Sequence, residues 1–208
     1  MNLAKKLVSV AAGVALVAGA SLAAAPASQA KINKKNSATI ISFKKDLVSG
    51  LEAQGIQISA QAPATWNSAK AEIRFPVTKV TSDGISHSGG ITFTKDGNPL
   101  TVTNPFIATP TGATSYEVLV TSALGEIPLL VLKNLKPKTT CKVDGQKKKN
   151  WIKKTTTRVQ ANVHLTSNET VISTLQALLS PAFTADLGLG AGRVTLVDDV
   201  NSKKKPKC

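Results

Sequence analysis

The chain has 208 residues, and its 26 lysine and arginine residues stand against 12 acidic residues, which gives a formal charge of +14. Hydrophobic residues make up 42% of the sequence, which excludes general disorder. A chain of this length predicts a single domain whose core is large enough to fold without a metal.

The first 30 residues have the pattern of a secretory signal peptide. Lys5 and Lys6 precede an almost uncharged run over Leu7–Ala25, and Ser28-Gln29-Ala30 supplies the small residues of a cleavage site. Cleavage after Ala30 would release residues 31–208 as a secreted, extracellular protein. The alternative interpretation of the apolar run is a retained membrane anchor.

The sequence contains two cysteines, Cys141 and Cys208. Outside the cell, a disulfide between them is the first expectation. The alternative is that Cys208, near the end of the chain, pairs with another molecule. Neither cysteine has the spacing or the neighbouring histidine of a zinc or catalytic site, so we expect no metal site.

The remaining segments predict an all-β domain, mainly an antiparallel β-sandwich, with two short α-helices. Residues 31–38 are polar and basic and predict a flexible leader, followed by a single domain over residues 39–200. Apolar residues at helical spacing predict a helix around Leu47, with Gly55 ending it. Alternating apolar residues over Ala69–Val77 predict a half-buried strand, and Asp96-Gly97-Asn98 predicts a hairpin turn.

The C-terminal half brings a second predicted helix and an unusual concentration of charge. Thr166-Ser167-Asn168-Glu169 has the pattern of a capping box at the start of a helix that Pro181 ends. Residues 133–154 contain nine lysines against one acid, Asp144, and predict a long exposed loop or hairpin tip. Residues 201–208 form a basic tail.

Several short motifs carry a resemblance to known proteins. They are Phe75-Pro76-Val77, Ile85–Ile91 with its Ser-His-Ser-Gly-Gly core, Leu129–Leu132 and Ala191–Thr195. The combination resembles secreted bacterial domains without established activity that are frequent in actinobacteria. It is more distantly similar to the HtaA family of secreted or surface haem-acquisition domains, which implies an antiparallel β-sandwich with short helices.

The resemblance also points to candidate ligand-binding residues. In the HtaA family a Ser-Phe-Arg-x-Tyr element at the first helix supplies a tyrosine ligand to haem iron, and a histidine lies across from it. Ser42 opens the corresponding element here, and Asp46 stands at the tyrosine position. His87 matches the histidine. With Tyr116 as the other available iron ligand, Ser42, His87 and Tyr116 are the candidate ligand-binding residues, and haem is the possible cofactor.

The lysine-rich segment is the second candidate binding surface. A concentrated positive potential attracts polyanions, and the affinity falls as the salt concentration rises. The partners expected outside a bacterium are anionic cell-wall polymers or anionic surfaces. Lysine predominates over arginine, which argues against specific nucleic-acid recognition. The candidate polyanion-binding residues are Lys147, Lys148, Lys149, Trp151, Lys153 and Lys154; the alternative is that these lysines only keep the protein soluble.

No catalytic constellation emerges. His87 has Ser86, Ser88 and Asp83 nearby, but adjacent strand residues point to opposite faces, and the chain has no G-x-S-x-G elbow. The sequence therefore predicts a secreted, non-enzymatic, cell-envelope-associated or extracellular binding or structural domain with a basic surface for anionic polymers. A haem or small-ligand carrier is the alternative.

Overall fold

The computed structural model describes residues 32–123, 125–146 and 150–208. The predicted signal peptide lies outside them. Eleven strands and two helices make up most of this part of the chain. The strands are β1 (Ala38–Phe43), β2 (Gln57–Gln61), β3 (Thr65–Asn67), β4 (Glu72–Val80), β5 (Gly84–His87), β6 (Gly90–Lys95), β7 (Asn98–Ala108), β8 (Tyr116–Ser122), β9 (Gly125–Gln146), β10 (Asn150–Leu165) and β11 (Gly188–Ser202). The helices are α1 (Lys45–Ala53) and α2 (Glu169–Leu178).

All strands belong to one antiparallel sheet, which runs in the order β2-β6-β7-β5-β4-β1-β11-β10-β9-β8, with β3 beside β4. Because β7 also pairs with β8, the strands from β7 round to β8 form a closed circuit. The sheet therefore covers its own inner face, as the two layers of a sandwich do. The predicted all-β, antiparallel sandwich with two short helices is confirmed.

The core lies between the inner faces of this sheet and under the two helices. Strand β4 shows the alternation that the sequence predicts, with Ile73, Phe75 and Val77 buried and their neighbours partly exposed. Helix α1 buries Val48 and Leu51, and α2 buries Val171, Ile172 and Leu175. Neither helix in the described part of the chain is long and apolar enough to cross a membrane.

Helix α2 starts at a different cap from the one expected. The side chain of Asn168 accepts a hydrogen bond from the backbone N–H of Val171 at 3.2 Å, so Asn168 is the N-cap residue. Thr166 instead accepts from the backbone N–H of Asn168 at 3.1 Å. The capping-box prediction therefore finds the helix start to within two residues but assigns the capping side chain wrongly.

The segment 32–38, expected to be a flexible leader, lies along β11. Asn33 donates to Asp199 Oδ2 at 2.6 Å, and the fully buried Ser37 hydroxyl accepts from the backbone N–H of Val197 at 2.9 Å. Polar composition predicts mobility when the partner groups are not visible in the sequence. Here they lie more than 150 residues away in the chain, on β11.

Of the two alternatives for residues 133–154, the described parts, 133–146 and 150–154, form paired strands of a hairpin rather than a loop. The strands β9 and β10 pair from Gln146 and Asn150 back to Leu130 and Leu165, and β11 pairs along the other edge of β10. The three strands form a ribbon that we call the arm, comprising residues 136–146, 150–160 and 193–202. At its base, Val159, Val194 and Leu196 belong to the hydrophobic core. Its threonines suit a strand, and the lysines occupy outward positions that a paired strand tolerates.

The predicted disulfide is present. Cys141 of β9 bonds to Cys208 with Cα atoms 5.8 Å apart and 67 residues of separation. The basic tail is therefore fixed to the arm at its last residue, and Asn201 and Ser202 extend β11. The bond links two positions within one chain, as first expected, and not two molecules.

Candidate functional site

An apolar cavity lies inside the sandwich. It admits the centre of a water molecule over about 70 Å³. Its walls come from both layers of the sheet and both helices, including Phe43, Leu47, Val118 and Leu175, and its polar side chains include those of His87 and Tyr116. Two of the three candidate ligand-binding residues therefore line the same enclosed space.

His87 is buried in this cavity wall, with only 4% of its surface exposed. Its Nδ1 lies 3.0 Å from the carbonyl oxygen of Pro105, and its Nε2 lies 2.7 Å from the hydroxyl of Thr39. A carbonyl only accepts, so Nδ1 carries the proton and Nε2 accepts from Thr39. Both ring nitrogens have partners, and neither is free to ligate a metal.

Burial holds this imidazole neutral. Loss of solvation lowers the pKa of His87 from 6.5 to about 4, against a smaller opposing effect of its backbone hydrogen bonds. Thr39 and His87 are arranged like a nucleophile and its base, but both are buried. An imidazole with so low a pKa is a weak base at neutral pH. The pair therefore acts as a structural anchor between β1, β5 and β7.

Tyr116 is the one candidate ligand whose hydroxyl is not engaged by another described residue. Its side chain is half-buried at the wall of the cavity, opposite Leu132 on β9. Desolvation raises the pKa of Tyr116 above 10.0. The phenol is therefore protonated at neutral pH, and a metal would have to displace that proton to bind the oxygen.

Ser42 does not join His87 and Tyr116. On β1 the cavity-lining residues Ile41 and Phe43 flank it, so Ser42 points to the outer face of the sheet. There its hydroxyl donates to Glu72 Oε1 at 2.9 Å. Asp46 is exposed in the first turn of α1. The three candidate ligand-binding residues, Ser42, His87 and Tyr116, thus lie on two sides of the sheet.

Few of the candidate side chains are suited to ligate haem iron. Asp46 offers a carboxylate in place of a phenolate, and both nitrogens of His87 are used. In the described residues, no group of three or more histidine, cysteine, aspartate or glutamate side chains is placed to hold a metal ion. Tyr116 is the remaining candidate for an iron ligand.

The outer face of the arm carries a row of cations that we call the cationic ladder. The antiparallel register places Lys138 opposite Arg158, and Lys142 opposite Lys154. It also aligns Lys136 and Arg193 on either side of Gln160. Because residues directly opposite share a face, all of these side chains project from one side. The cationic ladder consists of Lys136, Lys138, Lys142, Lys154, Arg158 and Arg193.

Positive charge on this face is only partly neutralised. The acids on this face are Asp199, which lies opposite Lys154, and Asp144, which lies in the neighbouring row opposite Ile152. The ion pairs of the described residues involve Lys133, His164 and Asp186 instead. Like charges directly opposite one another destabilise a sheet. In the row of Lys142 and Lys154, Asp199 lies directly opposite Lys154 and offsets part of this cost. The Lys138–Arg158 pair has no acid in its row and works against folding, so its presence needs another reason.

Two of the other predicted polyanion-binding residues lie on a different face. Trp151 and Lys153 project from the opposite face of the arm, where Cys141 lies, and the Lys205 ammonium sits 5.3 Å from the centre of the Trp151 ring. Lys147, Lys148 and Lys149 are outside the described residues. Of the six predicted residues, Lys154 alone belongs to the cationic ladder as described.

Five of the six ladder residues were not among the site residues predicted from the sequence. Their signal is present, because Lys136, Lys138 and Lys142 share one parity along the chain. That parity indicates a common face only if the segment is a strand. Arg158 and Arg193 join them through a register that the sequence does not display.

Comparisons with known proteins show a shared fold. No family model matches the chain, and no curated protein matches its sequence. Among solved structures, the haem-binding protein HtaB from Corynebacterium glutamicum is similar over 80% of this chain and 96% of its own, with 13% identity and a TM-score of 0.52. The C-terminal domain of HtaA from the same organism covers 77% and 97%, with 14% identity and a TM-score of 0.49. The distant HtaA-like resemblance of the fold is confirmed.

Proposed function

We propose that this protein is a non-enzymatic, extracellular binding domain that holds anionic polymers on its cationic ladder. The observation that carries the proposal is the row of cations along one face of the arm, in which Lys138 and Arg158 are paired with no acid beside them. A protein that needed lysines only for solubility could scatter them without this cost to stability. A polyanion lying along the arm would neutralise the repulsion and convert it into binding energy.

The proposal places the protein at the cell envelope. The signal-like N-terminus and the disulfide are consistent with an oxidising compartment outside the cytoplasm. Anionic wall polymers are polyanions that a secreted bacterial protein meets there. We expect the chain lacking residues 1–30 to sediment with insoluble wall preparations at low salt and to be released by high salt. Failure to sediment at any salt concentration would contradict the envelope assignment.

The ladder itself is tested with a polymer that offers only charge. We expect the double variant Lys142→Gln/Lys154→Gln to elute from immobilised polyphosphate at lower salt than wild type. Lys45→Gln/Lys79→Gln removes the same charge from exposed positions on α1 and β4, outside the arm, and serves as the control. Equal loss in both variants would mean that net charge acts alone and that the ladder has no special role.

Haem carriage is the second candidate, favoured by the fold shared with a haem-binding protein and by Tyr116 at the cavity wall. Haem binding would require the cavity to widen, because the space it offers to the centre of a water molecule is only about 70 Å³. This candidate predicts a stoichiometric Soret shift on adding haemin that Tyr116→Phe abolishes and His87→Gln preserves. Wild-type protein without a Soret shift would remove it.

A further inference from the structure

A polar groove lies on the outer face of the sheet, next to the ladder. It has a free volume of about 300 Å³. Its floor includes the short, exposed side chain of Ala191, which leaves the backbone surface open. We call it the amide groove. The polar side chains that line it are those of Ser42, Glu72, Asn134, Gln160, Asn162 and Arg193, with Lys136 at its border.

A bulge in β9 shapes one wall of this groove. The register shifts between Gln160 and Asn162, so two residues of β9, Asn134 and Leu135, stand opposite Ala161. Asn134 adopts a left-handed backbone with φ of 55°, which asparagine tolerates better than most residues. Such bulges re-aim side chains, and this one brings the Asn134 amide to the groove.

The groove offers donors and acceptors that have no partner in the described part of the chain. The side-chain amides of Asn134, Gln160 and Asn162 form none of the hydrogen bonds found there, whereas Ser42 and Glu72 bond to each other. Amides both donate and accept, as a hydroxyl group does. The lining thus complements a ligand rich in hydroxyl groups more closely than a ligand that carries charge alone.

The groove and the ladder are continuous. Lys136 and Arg193 border the groove and also form the first row of the ladder, with Gln160 between them. Lys138 and Arg158 form the next row, two residues further along the strands. Two residues of antiparallel strand span about 6.8 Å. One three-carbon polyol phosphate unit bridges a similar distance between successive phosphates.

Resting on the proposed function, we infer that the anionic polymer is a polyol phosphate. Successive phosphates lie on the two adjacent rows, Lys136 with Arg193 and Lys138 with Arg158, and the neighbouring hydroxyls are held in the amide groove. The lining of the groove favours this class over an acidic polysaccharide. Among the described residues, no aromatic ring lines the groove to stack on a sugar.

Two oligomers that differ only in the hydroxyl group test this inference. Glycerol phosphate and propanediol phosphate oligomers of equal length have the same backbone and the same charge, and only the first has a free hydroxyl. We expect wild-type protein to bind the glycerol oligomer about tenfold more tightly, the effect of one or two hydrogen bonds. This comparison uses the wild-type chain and needs no variant to fold.

A groove variant then locates the preference. In Gln160→Leu/Asn162→Leu, we expect the tenfold preference to disappear while binding of the propanediol oligomer is retained. Gln57→Leu, on the exposed surface of β2, is the control. Equal binding of both oligomers by wild type would overturn the polyol assignment and leave the ladder intact. Binding of neither oligomer at low salt would instead contradict the proposed function itself, and tighter binding of polygalacturonate would overturn the choice of polymer.

Discussion

His87 is the residue whose role the structure changes most. The sequence presents it as a candidate ligand, and the structure places it in an apolar wall with both nitrogens bonded to Thr39 and Pro105. A buried polar group contributes to stability when its partners are present and is costly when they are removed. His87 therefore belongs to the residues that hold the fold together.

Its pKa sets a pH dependence of stability. The folded pKa is about 4 against 6.5 for an unperturbed histidine, so the unfolded chain binds the proton more readily below pH 6.5. The stabilisation is thus complete above pH 6.5 and is lost as the pH falls toward 4. At pH 4.5 the loss from this group is about 2 to 3 kcal/mol. We expect urea unfolding at pH 7.5 and pH 4.5 to show it, with a smaller difference in His87→Gln. A variant as acid-sensitive as wild type would contradict this assignment.

Gly190 shows a second constraint at the scale of one residue. It lies in β11 with φ of 155°, and a Cβ there would come within 2.0 Å of the Ser42 carbonyl oxygen and 3.0 Å of the Phe43 Cα. We expect Gly190→Ala to lower the free energy of unfolding by about 1 to 3 kcal/mol because β1 and β11 must separate. Gly50→Ala, in the interior of α1 with nothing within 4 Å, is the control. It should raise the stability by about 0.5 to 1 kcal/mol. Equal effects at both sites would refute the close approach.

At the scale of elements, the arm combines a disulfide with a repulsive row of charges. Cys141 and Cys208 close a 67-residue separation, which in the chain-entropy model stabilises the fold by about 4 kcal/mol. We expect Cys141→Ser/Cys208→Ser to lower the urea midpoint without removing the secondary structure of the core. Unchanged stability on removing both cysteines would show that the bond does not constrain the unfolded chain.

The ladder separates stability from binding. Lys138→Glu places a carboxylate opposite Arg158, and we expect it to raise the free energy of unfolding by about 0.2 to 1 kcal/mol. The same change should weaken polyphosphate binding, because it inverts one charge of the ladder. Lys79→Glu on β4 is the control. It should bring no gain in stability, because the residue opposite Lys79 is the uncharged Ser86. Loss of stability in Lys138→Glu would mean that the cation pairs do not repel each other as proposed.

Sequence patterns predicted the elements whose periodicity lies within one segment. They did not predict which residues share a face when that depends on the register with a partner strand. Alternation of Ile73, Phe75 and Val77 and the spacing of Val48 and Leu51 predicted β4 and α1, because each pattern contains its own periodicity. The nine lysines of residues 133–154 left a loop and a hairpin tip as alternatives, because composition outweighs alternation when most residues are polar. The candidate sites divided similarly: the disulfide was predicted, whereas the ladder and the amide groove depend on register and a bulge.

At the scale of the whole molecule, the sheet has two chemically different faces. The inner face encloses the apolar core and the cavity that His87 and Tyr116 line. The outer face of β9, β10 and β11 carries the ladder and the groove. A shared fold does not transfer a ligand, since the same architecture serves different functions through different side chains. In our proposal, the outer face rather than the cavity carries the binding site.

The central claim is that the cationic ladder binds polyanions as a unit, and the salt dependence of polyphosphate binding tests it most directly. Each phosphate contact releases counterions, so the logarithm of the association constant falls linearly with the logarithm of the salt concentration. We predict a shallower slope for Lys142→Gln/Lys154→Gln than for wild type, by about one to two, and an unchanged slope for Lys45→Gln/Lys79→Gln. Identical slopes in all three proteins would contradict the account.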